Sequence, residues 1–213
     1  MTDERLASTS VEGFLEVLGS DAPTPGGGAA GAIAGATGAA LIAMVGRLTV
    51  GKKGFEDLED RMRALVERAD AERSAFLQLA DRDAHAFDGV MAAFKMPKET
   101  DEEKAARSAA IQAGYEQAAS VPLEIARAAV DLMELAEDAT AMGNPQAASD
   151  GVSGAAHLYC AAACAIANVE INAASLKDPV RRSALIDEVA VLRGRADRSI
   201  RESQTAFQLR LPS

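Results

Sequence analysis

A carboxylic acid inside an apolar helical stripe is the residue of this sequence best suited to proton chemistry. Alternating spacings of four and three place six residues on one helix face, towards a partner helix: Phe76, Ala80, Asp83, Phe87, Val90 and Phe94. Because burial penalises the charged form, we expect the pKa of Asp83 to rise towards the range useful for proton transfer. Asp81 falls off the stripe and is expected to be solvated. The alternative role for Asp83 is structural, as a buried hydrogen-bonding or ion-pair partner.

Two groups at opposite ends of one Ala- and Gly-rich segment are suited to holding a polar, partly anionic ligand. Pro25-Gly26-Gly27-Gly28 opens the segment, and bare backbone N–H groups at a helix start can hold an anion or a carbonyl. The motif lacks the Gly-Lys-Ser/Thr ending of a phosphate-binding loop, and it could equally be a tight turn. Lys52 and Lys53 follow the segment, where the helix dipole favours cations in any case. We predict that both ends grip one ligand.

Amide side chains form a third set of candidate binding residues. Asn168 and Asn172 lie four residues apart, on one side of a second Ala-rich segment, and Asn144 and Asp150 flank the start of that segment. Amides and a carboxylate can recognise the donors and acceptors along the edge of a heterocyclic ring, but they can equally cap helices or bridge subunits. Both roles remain open at this point.

A metal site is not predicted. His157, Cys160 and Cys164 share one face of the second Ala-rich segment and could offer three soft ligands to zinc, but no fourth ligand is apparent in the sequence. Packing of small residues is the simpler explanation. The two cysteines, four residues apart on one helix, have poor geometry for a disulfide, which fits a reducing cytosol.

The composition restricts the partners and the location. A formal net charge of -10 argues against nucleic acid, which is bound through clustered Lys and Arg, and it disfavours a membrane surface. The acidic start, Met1-Thr2-Asp3-Glu4-Arg5, does not resemble a secretory signal, so we predict a cytoplasmic protein. The uncharged stretch from Ala29 to Gly46 approaches the length of a membrane span, but it is mostly Ala and Gly and is expected to be a buried helix.

The elements that position these residues are predicted to be helices throughout. With 48% apolar but only 4% aromatic residues, the core must be built from small aliphatic side chains on closely packed helices. We predict one domain over 1–213, an all-α, up-and-down bundle of five or six helices. The expected N-terminal boundaries are a Thr9–Glu12 capping box and one long helix over 55–94. A Thr100–Glu103 capping box is expected before a helix of about 40 residues with a bend near Pro122. An Ala-rich helix over 147–176 and a last helix from Asp178-Pro179 to Ile200 complete the expected bundle.

In their order along the chain, these motifs resemble the cyclodeaminase/cyclohydrolase family of folate enzymes. The resemblance covers most of the chain and runs through Pro25-Gly26-Gly27-Gly28, Leu48-Thr49-Val50-Gly51-Lys52-Lys53, Asp83-Ala84-His85-Ala86-Phe87, Met96-Pro97-Lys98, Val121-Pro122-Leu123, Gly143-Asn144 with Ser149-Asp150, and Asn168 to Asn172. One departure is the Gly151-Val152 pair, which comes one position earlier than the family pattern.

The resemblance implies an all-α homodimer with sites near the subunit interface, a folate substrate, and no metal or organic cofactor. It assigns the catalytic role to the acid of the Asp-x-x-Ala-Phe motif, which is Asp83 here, and it implies that the Gly-rich turn, the Lys pair and the later Asn residues line the folate site. The expected reaction is hydrolysis of 5,10-methenyltetrahydrofolate to 10-formyltetrahydrofolate. The alternatives are the cyclodeaminase reaction, which releases ammonia from 5-formiminotetrahydrofolate, and a non-catalytic helical module that oligomerises or binds folate.

Overall fold

The computed structural model describes residues 6–211, and all structural statements below concern that range. The acidic N-terminal segment on which the prediction about a secretory signal rests lies outside it. Within the range the chain is helical, with short 3-10 turns and no strand. The α-helices are α1 (Val11–Leu18), α2 (Gly27–Arg47), α3 (Glu59–Ala86), α4 (Asp88–Phe94), α5 (Asp101–Met142), α6 (Ala148–Ala174) and α7 (Pro179–Gln208).

Five long helices, α2, α3, α5, α6 and α7, run up and down between two ends of the bundle. At one end, α2 begins beside Asp83 in the last turn of α3, and Asn172 near the end of α6 donates a hydrogen bond to Ala118 O of α5. At the other end, Asn144 after α5 binds Thr49 after α2. We call these the Asp83 end and the Thr49 end. The predicted all-α, up-and-down bundle is confirmed.

Small residues allow α2 and α6 to pack closely in the core. A Cβ atom at Gly38 would lie 2.8 Å from the carbonyl oxygen of Gly154, and one at Gly154 would lie 2.7 Å from Cδ1 of Ile42. A side chain at Gly38 would therefore force the helices apart, at about 1–3 kcal/mol, and one at Gly154 would displace the end of the Ile42 side chain. This contact confirms that Ala- and Gly-rich helices pack closely at the centre of the bundle.

The helix boundaries follow the capping chemistry, with one correction near the N-terminus. Thr100 forms the predicted capping box with Glu103, and Asp178 caps α7 through the backbone N–H groups of Val180 and Arg181. The predicted cap at Thr9 is wrong: Ser10 caps α1, accepting a hydrogen bond from Gly13 N at 3.0 Å. The capping-box pattern of Thr9 with Glu12 is therefore one residue out of register with the helix.

The predicted long helix over 55–94 is two helices. α3 ends at Ala86, Phe87 forms the junction, and α4 continues to Phe94. The apolar stripe survives the junction as far as Val90, which is buried, but Phe94 is 44% exposed and packs under the guanidinium of Arg107. α5 runs through Pro122 without interruption, and α7 extends past the predicted end at Ile200.

Two helical stretches, Gly27–Arg47 and Pro145–Ala174, are long and apolar enough to cross a membrane by length and composition. Core helices meet the same criterion. Within the bundle, 61% and 44% of their most apolar windows are buried, and Ala29, Ala39 and Ile42 of α2 have no exposed surface. The predicted burial of the stretch from Ala29 to Gly46 is confirmed along the α2 face that meets α3 and α6.

Candidate active site

Asp83 lies in the last turn of α3, with its carboxylate against the start of α2. The backbone N–H of Ala29 donates a hydrogen bond to the carboxylate, which favours the ionised form. Desolvation by burial is the larger effect and raises the pKa of Asp83 above the usual value of 3.8. The helix period therefore identified a carboxyl group that the fold desolvates.

The Gly-rich turn makes room for that carboxylate. Pro25 is buried and follows a cis peptide bond from Thr24, and Gly26 caps α2. A Cβ atom at Gly28 would lie 2.6 Å from Cγ of Asp83, so only glycine allows the carboxylate to reach the helix start. The first turn of α2 presents backbone N–H groups that have no partner within the helix.

Asn168 and Asn172 stand on the opposite side of the same cleft, near the end of α6. Asn172 donates through Nδ2 to Ala118 O at 3.0 Å and to Asn168 O at 2.9 Å, and Asn168 donates through Nδ2 to Cys164 O at 2.8 Å. These bonds fix both amides through their nitrogens. Neither amide oxygen accepts a hydrogen bond from the described residues, so both remain available to a ligand with N–H donors.

These groups enclose a cleft of about 190 Å³, which we call the Asp83 cleft. Asp83 is the one ionisable side chain among the described residues that line it. The sequence-based list missed its apolar part, which includes Phe87, Ala118 and Ile171. Phe87 packs edge-on against Tyr115, with ring centroids 6.4 Å apart, and Ile171 is 70% exposed at the rim. The position of Phe87 on the Asp83 stripe was the signal that could have identified it.

The remaining candidate residues lie at the Thr49 end. Lys52 and Lys53 are exposed after α2, and Asp150 is half-buried in the first turn of α6. Asn144 is 5% exposed, and its amide donates to Leu48 O at 3.2 Å and accepts from Gln146 N at 3.1 Å. Twenty residues of helix separate Gly28 from Leu48, or about 30 Å. Within one protomer, Lys52, Lys53, Asn144 and Asp150 therefore lie at the opposite end of the bundle from Asp83.

The acids and cations adjacent to Asp83 along the sequence face away from the Asp83 cleft. Asp81 accepts a hydrogen bond from Leu6 N at 2.7 Å, which corrects the expectation that it is simply solvated. Arg82 makes a two-pronged ion pair with Glu124, at 2.6 and 2.8 Å. Asp81 is therefore a well-matched control for Asp83, two residues away but outside the cleft.

His157, Cys160 and Cys164 do not gather into a metal-binding group; no cluster of three or more His, Cys, Asp or Glu side chains with that geometry occurs among residues 6–211. Both cysteines are free thiols. Burial and the neighbouring Cys160 raise the pKa of the Cys164 thiol, so it is a poor nucleophile at neutral pH. The Asp83 cleft itself offers proton transfer beside a polar, partly apolar binding surface.

A sequence model of the formiminotransferase-cyclodeaminase family matches residues 10–191, which includes every residue of the Asp83 cleft. The chain belongs to this family. A formiminotetrahydrofolate cyclodeaminase from Thermotoga maritima has a solved structure that superposes on this family member with a TM-score of 0.85, at 30% identity, over 95% of this chain and 97% of the other. The two folds therefore agree over nearly their whole length.

Relatives within the family carry two different names. A methenyltetrahydrofolate cyclohydrolase from Methylorubrum extorquens is 42% identical over 169 residues, which cover 79% of this chain and 81% of that protein. The formimidoyltransferase-cyclodeaminase of Mus musculus is 36% identical over 178 residues, covering 84% of this chain. This chain spans only 33% of the length of the mouse protein.

Proposed function

We propose that this protein hydrolyses 5,10-methenyltetrahydrofolate to 10-formyltetrahydrofolate. The observation that carries the proposal is a desolvated carboxyl group, Asp83, as the one ionisable side chain among the described residues of a cleft that also offers amide oxygens and an aromatic ring. A cyclohydrolase relative that is 42% identical and matches over most of its own length supports the same choice.

The reaction needs a base and then an acid at one place. The bridging carbon of the substrate lies between N5 and N10 as an amidinium cation, so it is already electrophilic. Ionised Asp83 takes a proton from water as the oxygen bonds to this carbon, and the negative carboxylate favours the nearby cation. Asp83 then returns the proton to N5 as the bond from carbon to N5 breaks. The hydroxyl proton leaves to solvent, and the formyl group remains on N10. No metal or organic cofactor enters this scheme.

The fixed amides and the apolar wall give the substrate its orientation in this proposal. The amide oxygens of Asn168 and Asn172 accept from N–H donors of the pterin, while their nitrogens stay bound to the backbone. Phe87 and Ile171 contact the aromatic rings of the substrate. Because the Ala29 N–H holds one side of the carboxylate, Asp83 keeps one orientation through both proton transfers.

We also propose that the protein works as a homodimer through the exposed face shared by α2 and α6. Neither helix carries an Asp, Glu, Lys or Arg over 27–46 or 151–169, in a chain of which 25% is charged. Apart from His157, the exposed residues of the two stretches are small or apolar, among them Thr37, Met44, Cys160, Ala163 and Ala167. Such an uncharged surface matches a second copy of itself.

An antiparallel dimer would reunite the two halves of the predicted ligand site. A two-fold axis crossing the middle of α2 brings the Thr49 end of one protomer to the Asp83 end of the other. Lys52 and Lys53 of the partner subunit would then reach the Asp83 cleft and hold a substrate carboxylate or a developing oxyanion. The uncharged face and the separation of about 30 Å within one chain both support this arrangement.

The second candidate is the cyclodeaminase reaction, supported by the name of the Thermotoga maritima protein with the same fold. Asp83 would protonate the ammonia that leaves as 5-formiminotetrahydrofolate closes to the methenyl form. Both reactions pass through a tetrahedral carbon between N5 and N10, so one cleft serves either. We further infer a cytoplasmic location, since the two thiols are free and a folate is the substrate.

Purified protein tests the proposal through the absorbance of the methenyl compound. We expect rapid loss of that absorbance, faster than the hydrolysis without protein in the same buffer, which should itself catalyse the hydrolysis only weakly. If there is no loss, and the absorbance instead grows from 5-formiminotetrahydrofolate, the cyclodeaminase is the activity. If neither compound changes, the proposal is wrong and the non-catalytic module remains.

A further inference from the structure

The short helix α1 leaves apolar side chains in solvent. Val11 is 78% exposed and Leu15 is 56% exposed, and no residue of α1 is buried within the described chain. The two side chains are four residues apart and share one face of the helix. Ser10 caps α1, so this face belongs to a formed helix. A contiguous apolar face of this kind indicates contact with a second surface.

The chain on both sides of α1 is fixed at the Asp83 end of the bundle. Before α1, the backbone N–H of Leu6 donates to Asp81 of α3 at 2.7 Å. After α1, Pro23 and Thr24 line the Asp83 cleft together with Ile171, which lies on the exposed side of α6. The eight residues of α1 are only about 12 Å long. α1 therefore remains close to the mouth of the Asp83 cleft.

The two ends of α2 are flanked by opposite charges. Residues 6–46, which include α1, contain three acids and no Lys or Arg: Glu12, Glu16 and Asp21. Residues 47–55, which follow α2, contain the reverse, three cations and no acid: Arg47, Lys52 and Lys53. One end of the bundle thus presents an acidic apolar helix, and the other end presents a basic loop.

The basic loop continues from an exposed apolar surface at the end of α2. Leu48 is 47% exposed and Met44 is 37% exposed, and their spacing of four places them on one face. Lys52 and Lys53 are exposed directly after them. We call Met44, Leu48, Lys52 and Lys53 the Leu48 patch. It combines two apolar side chains with two cations.

The face of α1 has the matching composition. Val11 and Leu15 supply two apolar side chains, and the exposed carboxylates of Glu12 and Glu16 supply two negative charges beside them. The apolar side chains can therefore bury one another while the charges attract. Ion pairs at an exposed surface are weak, so the apolar contact contributes most of the affinity and the charges mainly determine the orientation.

We propose that α1 docks on the Leu48 patch of a second copy of this chain. The inference rests on the antiparallel dimer proposed above, in which the Asp83 end of each protomer meets the Thr49 end of the other. Within one chain, α2 separates the two surfaces by about 30 Å, and the anchors at Leu6 and Pro23 keep α1 at its own end. The two-fold axis forms the contact twice.

Docking of α1 fixes one wall of the active site from the partner's side. Residues 19–26 connect α1 to α2, and Pro23, Thr24 and Gly26 of this segment line the Asp83 cleft. A partner that holds α1 therefore also restrains the Gly-rich turn beside Asp83. The cleft of each protomer is then completed by the Leu48 patch of the other.

Thiol crosslinking tests the contact directly. The free thiols are first removed by Cys160→Ala/Cys164→Ala, and Leu15→Cys and Leu48→Cys are then introduced into the same chain. We expect a short bifunctional maleimide to link two subunits in this variant and in neither single-Cys variant. Leu15→Cys with Val191→Cys is the control, because Val191 is similarly exposed on α7. A link within one chain, a link between two copies of Leu15→Cys, or no link overturns the proposal.

The affinity of the dimer provides an independent measurement. Val11→Gln/Leu15→Gln changes both symmetric contacts, so we expect sedimentation to show a dissociation constant at least about tenfold higher. Val180→Gln/Val191→Gln is the matched control, since both residues are equally exposed on α7, and it should change the constant less than about twofold.

Charge reversal tests the orientation of the docked helix. Glu12→Lys/Glu16→Lys should weaken the dimer, and adding Lys52→Glu/Lys53→Glu to the same chain should restore it. Dimer affinity alone is measured here, because the Lys pair is also proposed to contact the substrate. Failure of the second pair of substitutions to restore the dimer would contradict the proposed docking.

The docking and the hydrolysis proposals fail in different ways. Crosslinked dimers without loss of methenyl absorbance would support the docking of α1 and refute the cyclohydrolase. A dimeric, active protein whose affinity is unchanged by Val11→Gln/Leu15→Gln would support the cyclohydrolase and refute the docking. A monomeric wild-type protein would refute the docking together with the dimer.

Discussion

Replacing Asp83 by Asn removes the proton acceptor and almost nothing else. The amide has the shape of the carboxyl group and can still accept the hydrogen bond from the Ala29 N–H, but it cannot take a proton from water. No other ionisable side chain among the described residues lines the cleft, so none of them can replace Asp83 as a base. Positioned acid–base catalysis contributes about 10²–10⁴ in rate, so we expect kcat to fall by that factor, equivalent to about 3–5 kcal/mol in the barrier.

The same substitution should stabilise the folded protein at neutral pH. Burial raises the pKa of Asp83 in the folded state, so the folded state holds this proton more tightly than the unfolded chain does. The contribution to stability is therefore full below the unfolded pKa and is lost as pH rises through the folded pKa. An Asn side chain carries no such penalty. The melting temperature of the Asp83→Asn protein should therefore exceed that of the wild-type protein at pH 7 and approach it at pH 3.

Asp81→Asn is the control for both measurements. Asp81 lies two residues earlier on α3, binds Leu6 N and is outside the Asp83 cleft, so we expect kcat within about twofold of the wild-type protein. The assay is the decay of methenyl absorbance, corrected for the uncatalysed reaction, with melting curves on the same samples. Full turnover by a folded Asp83→Asn protein, or equal losses in the two variants, would refute the assigned role.

Four further outcomes follow from the same contacts. Gly28→Ala puts a Cβ 2.6 Å from Cγ of Asp83, so it should lower kcat sharply and cost about 1–3 kcal/mol of unfolding free energy, measured by denaturant titration. The acid limb of kcat/KM should lie above pH 3.8, because the raised pKa of Asp83 sets it; a limb at the ordinary Asp value would contradict its burial. Asn172→Ala loses two bonds to backbone carbonyls and should destabilise by about 1–2 kcal/mol and raise KM. Thr37→Glu places two like charges near the proposed two-fold axis and should yield inactive monomers by light scattering, whereas Ala184→Glu on exposed α7 should remain dimeric and active.

The residues that the sequence alone located best are those determined by local periodicity. Asp83 could be separated from Asp81 because a helix face is a property of spacing, and the fold buries that face against a neighbour. The capping chemistry of Thr100 and Asp178 is equally local, since each cap binds backbone two or three residues away. The all-α bundle followed from helix periods that no strand alternation interrupts.

What the sequence did not provide is how distant segments meet. Lys52 and Asn168 both looked suited to one ligand, yet they lie at opposite ends of a bundle whose helices alternate in direction. The break at Phe87 is followed by Asp88-Gly89, two weak helix formers, but the apolar stripe runs across the break and the period alone predicted one helix. The apolar side of the cleft escaped notice because Ile171 is an ordinary core residue type placed by the fold at an exposed rim.

The glycines of α2 look alike in the sequence, but the fold divides them into two mutational classes. In a saturation library, Gly38 should reject every side chain, alanine included, whenever the library is sorted for abundance of folded protein. The missing side chain of Gly28 leaves room for a carboxylate instead of a helix. Substitutions of Gly28 should therefore be depleted further when the same library is sorted for growth that depends on the enzyme's activity. Comparing the two sortings at each glycine would distinguish the α2 glycines required for helix packing from those required for activity.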